Sequence, residues 1–178
     1  MTTADVSVRI AWPDDADALA VVQTASWAEQ YAGLVPAGVL PSDVPAVAER
    51  WRQSLQKPGD ARNRVLVALE RNRVTGFAVT LPAADPDCDP VRDGELAELT
   101  VAPAERGLGH GSRLVQAAVD TLRSDRFTRA VCWLVATDDV TRGFLTEAGW
   151  GPDGAHRVLD LTGDGSTTVK QVRLHTSL

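Results

Sequence analysis

Three glycines stand close together just before a segment with helical periodicity, in the run Arg106-Gly107-Leu108-Gly109-His110-Gly111-Ser112. Inside a helix each glycine is about 1 kcal/mol less favourable than alanine, so their presence indicates a need that only glycine meets. Glycine leaves backbone N–H groups open to a ligand, and the N-terminus of a helix favours an anion. The chemistry that this run favours is the binding of a phosphate group.

Several kinds of loop share this composition. A P-loop needs a lysine after its last glycine, and none is present here. A Rossmann fingerprint needs the spacing G-x-G-x-x-G near the start of a domain, whereas these glycines lie at alternate positions after several other elements. The run by itself leaves two interpretations open: the pyrophosphate loop of an acyl-CoA site, or a glycine-rich turn that packs a helix close to a strand.

The predicted strand before the glycine run carries two carboxylates suited to general base chemistry, Glu95 and Glu98. Alternate residues of a regular strand face opposite sides. We therefore expect Glu95 to share a face with Leu99 and Val101, and Glu98 to point the other way. For both glutamates, a solvated position at a strand edge is the competing interpretation.

The elements that must position these groups follow the order β-α-α-β-β-β-α-β-α-β-β. Apolar periodicity predicts strands at 6–11, 64–69, 74–81, 96–101, 129–135, 155–161 and 167–174, and helices at 13–30, 43–56, 112–122 and 138–148. Mixed elements with hairpins indicate an α/β domain with a mixed, mostly antiparallel sheet. Segment 82–93, rich in proline and aspartate, is predicted to be an exposed loop and the least ordered internal segment.

Composition narrows the class of protein. The chain has 178 residues, a length typical of one domain, and a net charge of −6, which disfavours a nucleic acid as partner. No apolar run is long enough for a membrane span, and the N-terminus shows no secretory signal. Cys88 and Cys132 are predicted to be free thiols of a cytoplasmic protein, with Cys132 in the core. Residues 85–89 lack the glycine and glutamate of a calcium loop, and no metal site is predicted.

With these elements in place, the chain resembles the GCN5-related N-acetyltransferases (GNAT). Arg106, Gly109 and Gly111 fill the family's acetyl-CoA motif Q/R-x-x-G-x-G/A. Further similarities cover the first helix and its loop, at Trp27, Tyr31, Gly33 and Pro36. They also cover the fourth strand, at 95–101, and the late helix with the turn that follows it, at Phe144 and 149–154. The resemblance implies a GNAT-type fold with six to seven strands and about four helices. It also implies a single N-acetyltransferase domain over 1–178, with a core at about 6–175.

The resemblance implies that acetyl-CoA is the co-substrate and that its acetyl group passes directly to a primary amine of a small molecule or peptide. The pantetheine arm would pair with the fourth strand, and the loop N–H groups would hold the pyrophosphate. The implied acetyl-CoA residues are Leu99, Thr100, Val101, Arg106, Gly107, Leu108, Gly109, His110, Gly111, Ser112, Asp138 and Phe144. Arg106, His110 and Arg113 would add positive charge, although for the last two a solvated face competes. Trp27 and Tyr31 are expected to shape the acceptor pocket.

Transfer to an amine needs its neutral form, which is about one part in a thousand at pH 7 for a pKa of about 10.4. Some family members carry their base at the position of Glu95, so Glu95 is favoured over Glu98. Many members protonate the CoA thiolate with a tyrosine of the late helix, but Leu145 stands at that position. This departure keeps a second hypothesis open, a weakly active or inactive acyl-CoA-binding domain. A homodimer is expected from the family alone.

Overall fold

The computed structural model describes residues 5–178. Residues 1–4 lie outside this range, and they include the first residues of the predicted domain and of the N-terminal segment in which no secretory signal was found. The strands are β1 Val6–Ile10, β2 Arg64–Glu70, β3 Arg73–Pro82, β4 Asp93–Val101, β5 Arg129–Val135, β6 Gly151–Asp160 and β7 Thr168–Ser177. The helices are α1 Ala16–Gln30, α2 Val44–Gln56, α3 His110–Ser124 and α4 Asp139–Glu147. The predicted order of elements is confirmed, and the last hairpin is longer at both ends than predicted.

The strands form one seven-stranded sheet in the order β1-β2-β3-β4-β5-β7-β6. β4 and β5 are parallel, and every other neighbouring pair is antiparallel. The predicted α/β class with a mixed, mostly antiparallel sheet is therefore confirmed. The one parallel pair lies near the middle, where α3 connects the two strands.

Local signals fix several element ends. The Asp43 carboxylate accepts a hydrogen bond from the Ala46 N–H at 3.2 Å and so caps the N-terminus of α2. Asp138 does the same for α4 through the Thr141 N–H at 3.0 Å. Arg71 and Asn72 both have positive φ, as the tight two-residue turn between β2 and β3 requires.

Two hydrophobic cores lie on opposite faces of the sheet. On one face, α3 packs its apolar stripe against β2, β3, β4 and β5 through Leu114, Val115, Ala118 and Leu122. On the other face, α1 and α2 cover β2 and β3, and Trp51 meets Phe77 edge to face at 5.3 Å. α1 and α2 therefore leave the β5–β7 part of this second face without a helix.

The loop between β3 and β4 covers part of that remaining face. Arg173 of β7, only 4% exposed, forms ion pairs with Asp85 at 3.2 Å and Asp87 at 2.6 Å. Trp133 of β5 donates from Nε1 to Asp85 at 2.9 Å. The predicted exposed loop is confirmed, since most of its residues are exposed and lie outside helices and strands, while the buried Arg173 holds its carboxylates.

No helix in the described part of the chain combines the length and apolar character that crossing a bilayer requires.

Candidate active site

The central feature of the site is a cleft where β4 and β5 separate. Their parallel pairing covers only three residues of each strand, 93–95 and 129–131, and the strands diverge beyond it. The resulting cleft has a volume of about 770 Å³. Its walls come from the end of α1, the second half of β4, the glycine loop, β5 and α4.

A β-bulge changes which residues of β4 face which side. Val79 pairs with Glu98 and Thr80 pairs with Leu96, so Ala97 is an extra residue without a partner on β3. The bulge puts Leu96 and Leu99 on the α3 face, and both glutamates on the α1 face. The prediction that Glu95 shares a face with Leu99 and Val101 was wrong, because it assumed a regular strand.

Glu98 lies in the cleft wall, and two side chains hold its carboxylate. Its Oε1 atom accepts hydrogen bonds from Trp27 Nε1 at 3.3 Å and from Thr100 Oγ1 at 2.5 Å. Burial raises the pKa of Glu98 above that of an ordinary glutamate, although these two hydrogen bonds work against the shift. A carboxylate with a raised pKa accepts a proton more readily, as a general base must.

Glu95 lies on the same face, at the point where β4 and β5 stop pairing. It is outside the cleft lining. Burial raises its pKa, and the negative charge of Asp85 adds to the effect while Arg157 and Arg173 oppose it. The structure thus brings both predicted carboxylates to one face, with Glu98 nearer the open cleft.

Backbone groups of β4 remain available to a ligand. The Ala102 N–H donates to Thr75 O of β3 at 2.8 Å, so by alternation the polar backbone groups of Leu99 and Val101 point toward the cleft. The Val101 carbonyl already accepts bonds from Ser26 Oγ and Arg106 Nε, both at 3.3 Å. The Leu99 N–H and C=O therefore form the most open pair along this wall.

The glycine loop has the conformation that its glycines permit. Gly107 and Gly109 adopt positive φ values of 77° and 85°. At Gly111 an added Cβ would contact the Phe144 ring at 3.4 Å, so only a side chain larger than alanine would crowd that ring. The first helical bond of α3 runs from Arg113 N to Gly109 O, so the N–H groups at 110–112 have no partner inside the helix. Free N–H groups and the helix dipole at such a position favour an anion.

The three charged or titratable side chains of the loop have different surroundings. Arg106 pairs with Glu29 of α1 at 2.7 Å, which neutralises part of its charge. His110 is 2% exposed and lies 3.4 Å from Glu70, away from the cleft. Both interpretations of its side chain, phosphate contact and solvated face, were wrong because α3 turns its first residue toward β2. Its backbone N–H is one of the three that open α3 without a partner inside the helix. Arg113 is exposed, and its NH1 donates to Leu108 O at 3.4 Å.

α4 closes the far wall of the cleft. Asp138 lines the cleft, but its carboxylate also caps the helix. Phe144 lies against Gly111 and lines the cleft as well. Leu145 is fully buried in the α3 core, so this position offers an apolar surface and no proton donor.

The end of α1 supplies the phenol and the indole of the site. Tyr31 lines the cleft, and its ring meets Trp27 edge to face at 6.1 Å. Burial raises the pKa of Tyr31, and the negative charges of Glu98 and Asp138 raise it further. The phenol therefore stays protonated at neutral pH. Trp27 is outside the cleft lining and acts on the site through its hydrogen bond to Glu98.

Most of the predicted site residues meet in this one cleft. Those that line it are Tyr31, Glu98, Leu99, Thr100, Val101, Arg106, Gly107, Gly109, Gly111, Ser112, Asp138 and Phe144. Trp27, Glu95, Leu108 and His110 do not. Ser26 and Glu29 were missed, because no local pattern connects α1 with a strand and loop that lie more than 70 residues later.

Cys132 of β5 also borders the cleft, but burial raises the pKa of its thiol, with Glu95 and Glu98 adding to the effect. A thiol that resists ionisation is a poor nucleophile. The predicted core role agrees with this environment.

The separated strand pair and the glycine loop lie in a region that matches a known protein family. Residues 25–150 match the model of the acetyltransferase (GNAT) family. This chain belongs to the GNAT acetyltransferase family. The matched region contains the end of α1, β4, the glycine loop, β5 and α4, and so all of the cleft lining except Gln171 of β7. A search of curated protein sequences finds no significant relative of this GNAT chain.

Solved structures show how far the fold extends beyond the matched region. The PaiA N-acetyltransferase of Thermoplasma acidophilum, in complex with coenzyme A, has a TM-score of 0.73 at 16% identity and covers 98% of this chain and 99% of its own. The putative acetyltransferase YncA of Salmonella typhimurium, with acetyl-CoA, has a TM-score of 0.72 at 18% identity. That match covers 98% of this chain and 95% of YncA. The ribosomal-protein-alanine N-acetyltransferase of Brucella melitensis has a TM-score of 0.73 at 19% identity. That match covers 97% of this chain and 99% of the other. At these identities the comparisons show that the GNAT fold spans nearly the whole chain.

Proposed function

We propose that this protein is an acetyl-CoA-dependent N-acetyltransferase that transfers the acetyl group directly to a primary amine of a small molecule or peptide. The observation that supports this most is the cleft between β4 and β5, which joins an anion site at the glycine loop to the buried carboxylate of Glu98. Two of the similar structures hold coenzyme A or acetyl-CoA. The activity and the fold are proposed to reside in one domain over residues 1–178.

Acetyl-CoA would occupy the cleft with its pyrophosphate at the N–H groups that open α3. Its pantetheine arm would extend along β4 and exchange hydrogen bonds with the backbone of Leu99, as an added strand does. Gly111 keeps the approach to these N–H groups free of a side chain. The thioester would then lie near Ala97, where the bulge opens the strand and Glu98 faces the acceptor side.

Direct transfer requires removal of a proton from the acceptor ammonium group before attack. Glu98 is the carboxylate that borders the cleft, and we assign the general base to it, directly or through a water. Glu98, Asp138 and the nearby Glu95 give this end of the cleft a negative character, while Arg106 at the other end is paired with Glu29. A cationic amine therefore fits the acceptor end.

The departing thiolate needs a proton or a hydrogen bond, and Tyr31 can supply it. The amine attacks the thioester carbon, the C–S bond breaks, and sulfur leaves with the electron pair. A thiol pKa of about 8.5 makes this thiolate a tolerable leaving group, so a donor accelerates the step without being indispensable. Tyr31 is the only tyrosine of the chain and borders the cleft beside Glu98.

The proposed function is tested with purified protein by calorimetry with CoA and by release of free thiol from acetyl-CoA in the presence of a panel of amines. Binding of CoA together with amine-dependent thiol release supports the proposal. Failure to bind CoA would overturn it. Binding without thiol release across the panel would favour the second candidate, an acyl-CoA-binding domain without appreciable activity, for which the buried Leu145 is the supporting observation.

Replacing Gly111 by valine should weaken CoA binding at least about tenfold. The new side chain would meet Phe144 at the mouth of the anion site, where a Cβ would already lie 3.4 Å from that ring. Gly143→Val is the matched control, since Gly143 lies in α4 with no atom within 4 Å of an added Cβ. Equal CoA affinity of the two variants in calorimetry would contradict the assignment of the pyrophosphate site.

Replacing Tyr31 by phenylalanine should lower kcat by about ten- to a hundredfold and leave the KM for acetyl-CoA nearly unchanged. The ring that packs on Trp27 remains, and only the hydroxyl is lost. Steady-state kinetics over a range of pH separate the two constants. An unchanged kcat would limit Tyr31 to a role in the acceptor wall.

The homodimer and the cytoplasmic location stay predictions, which size-exclusion chromatography with light scattering and cell fractionation can test.

A further inference from the structure

His110 is the most unusual buried polar side chain in the described part of the protein. It is 2% exposed, and neither Nδ1 nor Nε2 has a hydrogen-bond partner. An imidazole that has lost its hydrogen bonds to water and gained no partner in the protein is unfavourable. A buried ring with both nitrogens free is therefore expected to have a ligand.

Two carboxylates surround this imidazole. Glu70 ends β2, and its Oε2 atom lies 3.4 Å from His110 Nε2. Glu105 lies just before the glycine loop, and one ligand atom from each of the three side chains falls within 4.8 Å of the others. The His110 side chain is 1% exposed, against 24% for Glu70 and 13% for Glu105, so the carboxylates form the outer side of the cluster.

From this geometry we propose that Glu70, Glu105 and His110 form a binding site for a first-row divalent cation, with zinc as its natural probe. With ligand bonds of about 2.0–2.1 Å, two ligands of a tetrahedral zinc ion lie about 3.3 Å apart, close to the observed separation of Nε2 and Oε2. One imidazole and two carboxylates suit zinc, manganese or iron, whereas calcium and magnesium prefer oxygen ligands alone. Arg73 donates to Glu105 Oε1 at 2.6 Å, which leaves the second carboxylate oxygen for the cation.

A second acidic cluster shows what distinguishes the site. Asp85, Asp87 and Cys88 also bring their ligand atoms within 4.8 Å of one another. There the Arg173 guanidinium already lies among them, 2.8 Å from Asp87 Oδ1 and 3.5 Å from Cys88 Sγ. Arg173 lies among all three groups of that cluster, whereas at the His110 cluster Arg73 pairs with Glu105 Oε1 and leaves both nitrogens of the buried ring without a hydrogen-bond partner.

The cation would tie the end of β2 to both ends of the glycine loop. Glu105 precedes Arg106–Gly109 and His110 follows it, so coordination closes this loop onto the β2–β3 hairpin. Zinc is then expected to increase the affinity for CoA, an extension that rests on the proposed function. The binding of zinc itself is independent of CoA and of acetyl transfer.

The test is calorimetry of the metal-free full chain with Zn²⁺ alone, followed by visible spectroscopy with Co²⁺. We expect one zinc ion per chain, and a loss of affinity of at least about tenfold in Glu70→Gln and in His110→Leu. Cys88→Ser and His156→Asn serve as controls and should bind zinc as the unchanged protein does. Glu70 is partly exposed, so Glu70→Gln is expected to fold even if His110→Leu does not.

The tetrahedral absorption of bound Co²⁺ should disappear in the two site variants and persist in the two controls. The proposal is overturned if the protein binds no zinc, if Glu70→Gln leaves the affinity unchanged, or if Cys88→Ser removes binding. A rise in the melting temperature of His110→Leu with no change in zinc binding would identify His110 as a buried structural residue only. Each result is obtained without CoA, so it is distinct from any failure of the proposed acetyl transfer.

Discussion

Glu98→Gln is expected to lower kcat/KM for acetyl transfer at pH 7.5 by about 10²- to 10⁴-fold, the range of an isolated general base. Glutamine keeps the size of the side chain and can still accept the hydrogen bonds of Trp27 and Thr100. CoA affinity measured by calorimetry should not change, because the anion site lies at the other end of the cleft. The loss should therefore appear in the chemical step.

The pH profile gives the sharper test. Burial raises the pKa of Glu98, so the acid limb of kcat/KM should lie above the ordinary glutamate pKa of about 4.3 and rise as the base loses its proton. That limb should be absent in Glu98→Gln. Glu95→Gln is the matched control, from the same face of the same strand but outside the cleft lining. A larger loss in Glu95→Gln, with the limb retained in Glu98→Gln, would transfer the role to Glu95.

Arg173→Met is expected to lower the free energy of unfolding by about 2–3 kcal/mol, since it removes charge-assisted hydrogen bonds from two half-buried carboxylates, each of which keeps one other arginine. The Arg173 side chain is 4% exposed, and it pairs with Asp153 at 2.7 Å as well as with Asp85 and Asp87. Methionine preserves the apolar stem beside Trp133. Urea unfolding at pH 7 measures the difference.

Arg123→Met provides the comparison for an exposed ion pair. Arg123 is 52% exposed and lies 3.7 Å from Asp120, so its replacement should change stability by less than about 1 kcal/mol. Similar losses in the two variants would contradict the anchoring role of Arg173.

The stabilisation of the fold by Arg173 should also depend on pH. Its guanidinium holds the pKa of Asp87 at about 2 and lowers that of Asp153. A carboxyl with a folded pKa below its unfolded value of about 3.9 stabilises the fold above that pH, and the stabilisation is lost as the pH falls toward 2. The difference between the unchanged protein and Arg173→Met should therefore shrink between about pH 4 and pH 2.

Features with local causes were predictable from the sequence. The order of the elements followed from apolar periodicity, the caps at Asp43 and Asp138 from residue type, and the glycine loop from its cost inside a helix. The glycine run, together with residues of the first helix, the fourth strand and the late helix, also indicated the family.

Features that depend on distant partners were decided by the tertiary structure. The bulge at Ala97, which is visible only in the pairing of β4 with β3, puts Glu95 on the face of Glu98. His110 was expected near phosphate or solvent, yet α3 buries it against Glu70 of β2. The acidic loop is held against the sheet by ion pairs with Arg173, which lies 86 residues after Asp87.

The sequence by itself therefore determined the helices, the strands and the position of the glycine loop. The residues that cause each of these features lie close together in the chain. Only the tertiary structure decided which carboxylate borders the cleft, which histidine lacks a partner and which arginine is buried. Each of these depends on pairing or burial between segments about 20 to 90 residues apart, and the residue types alone do not specify such contacts.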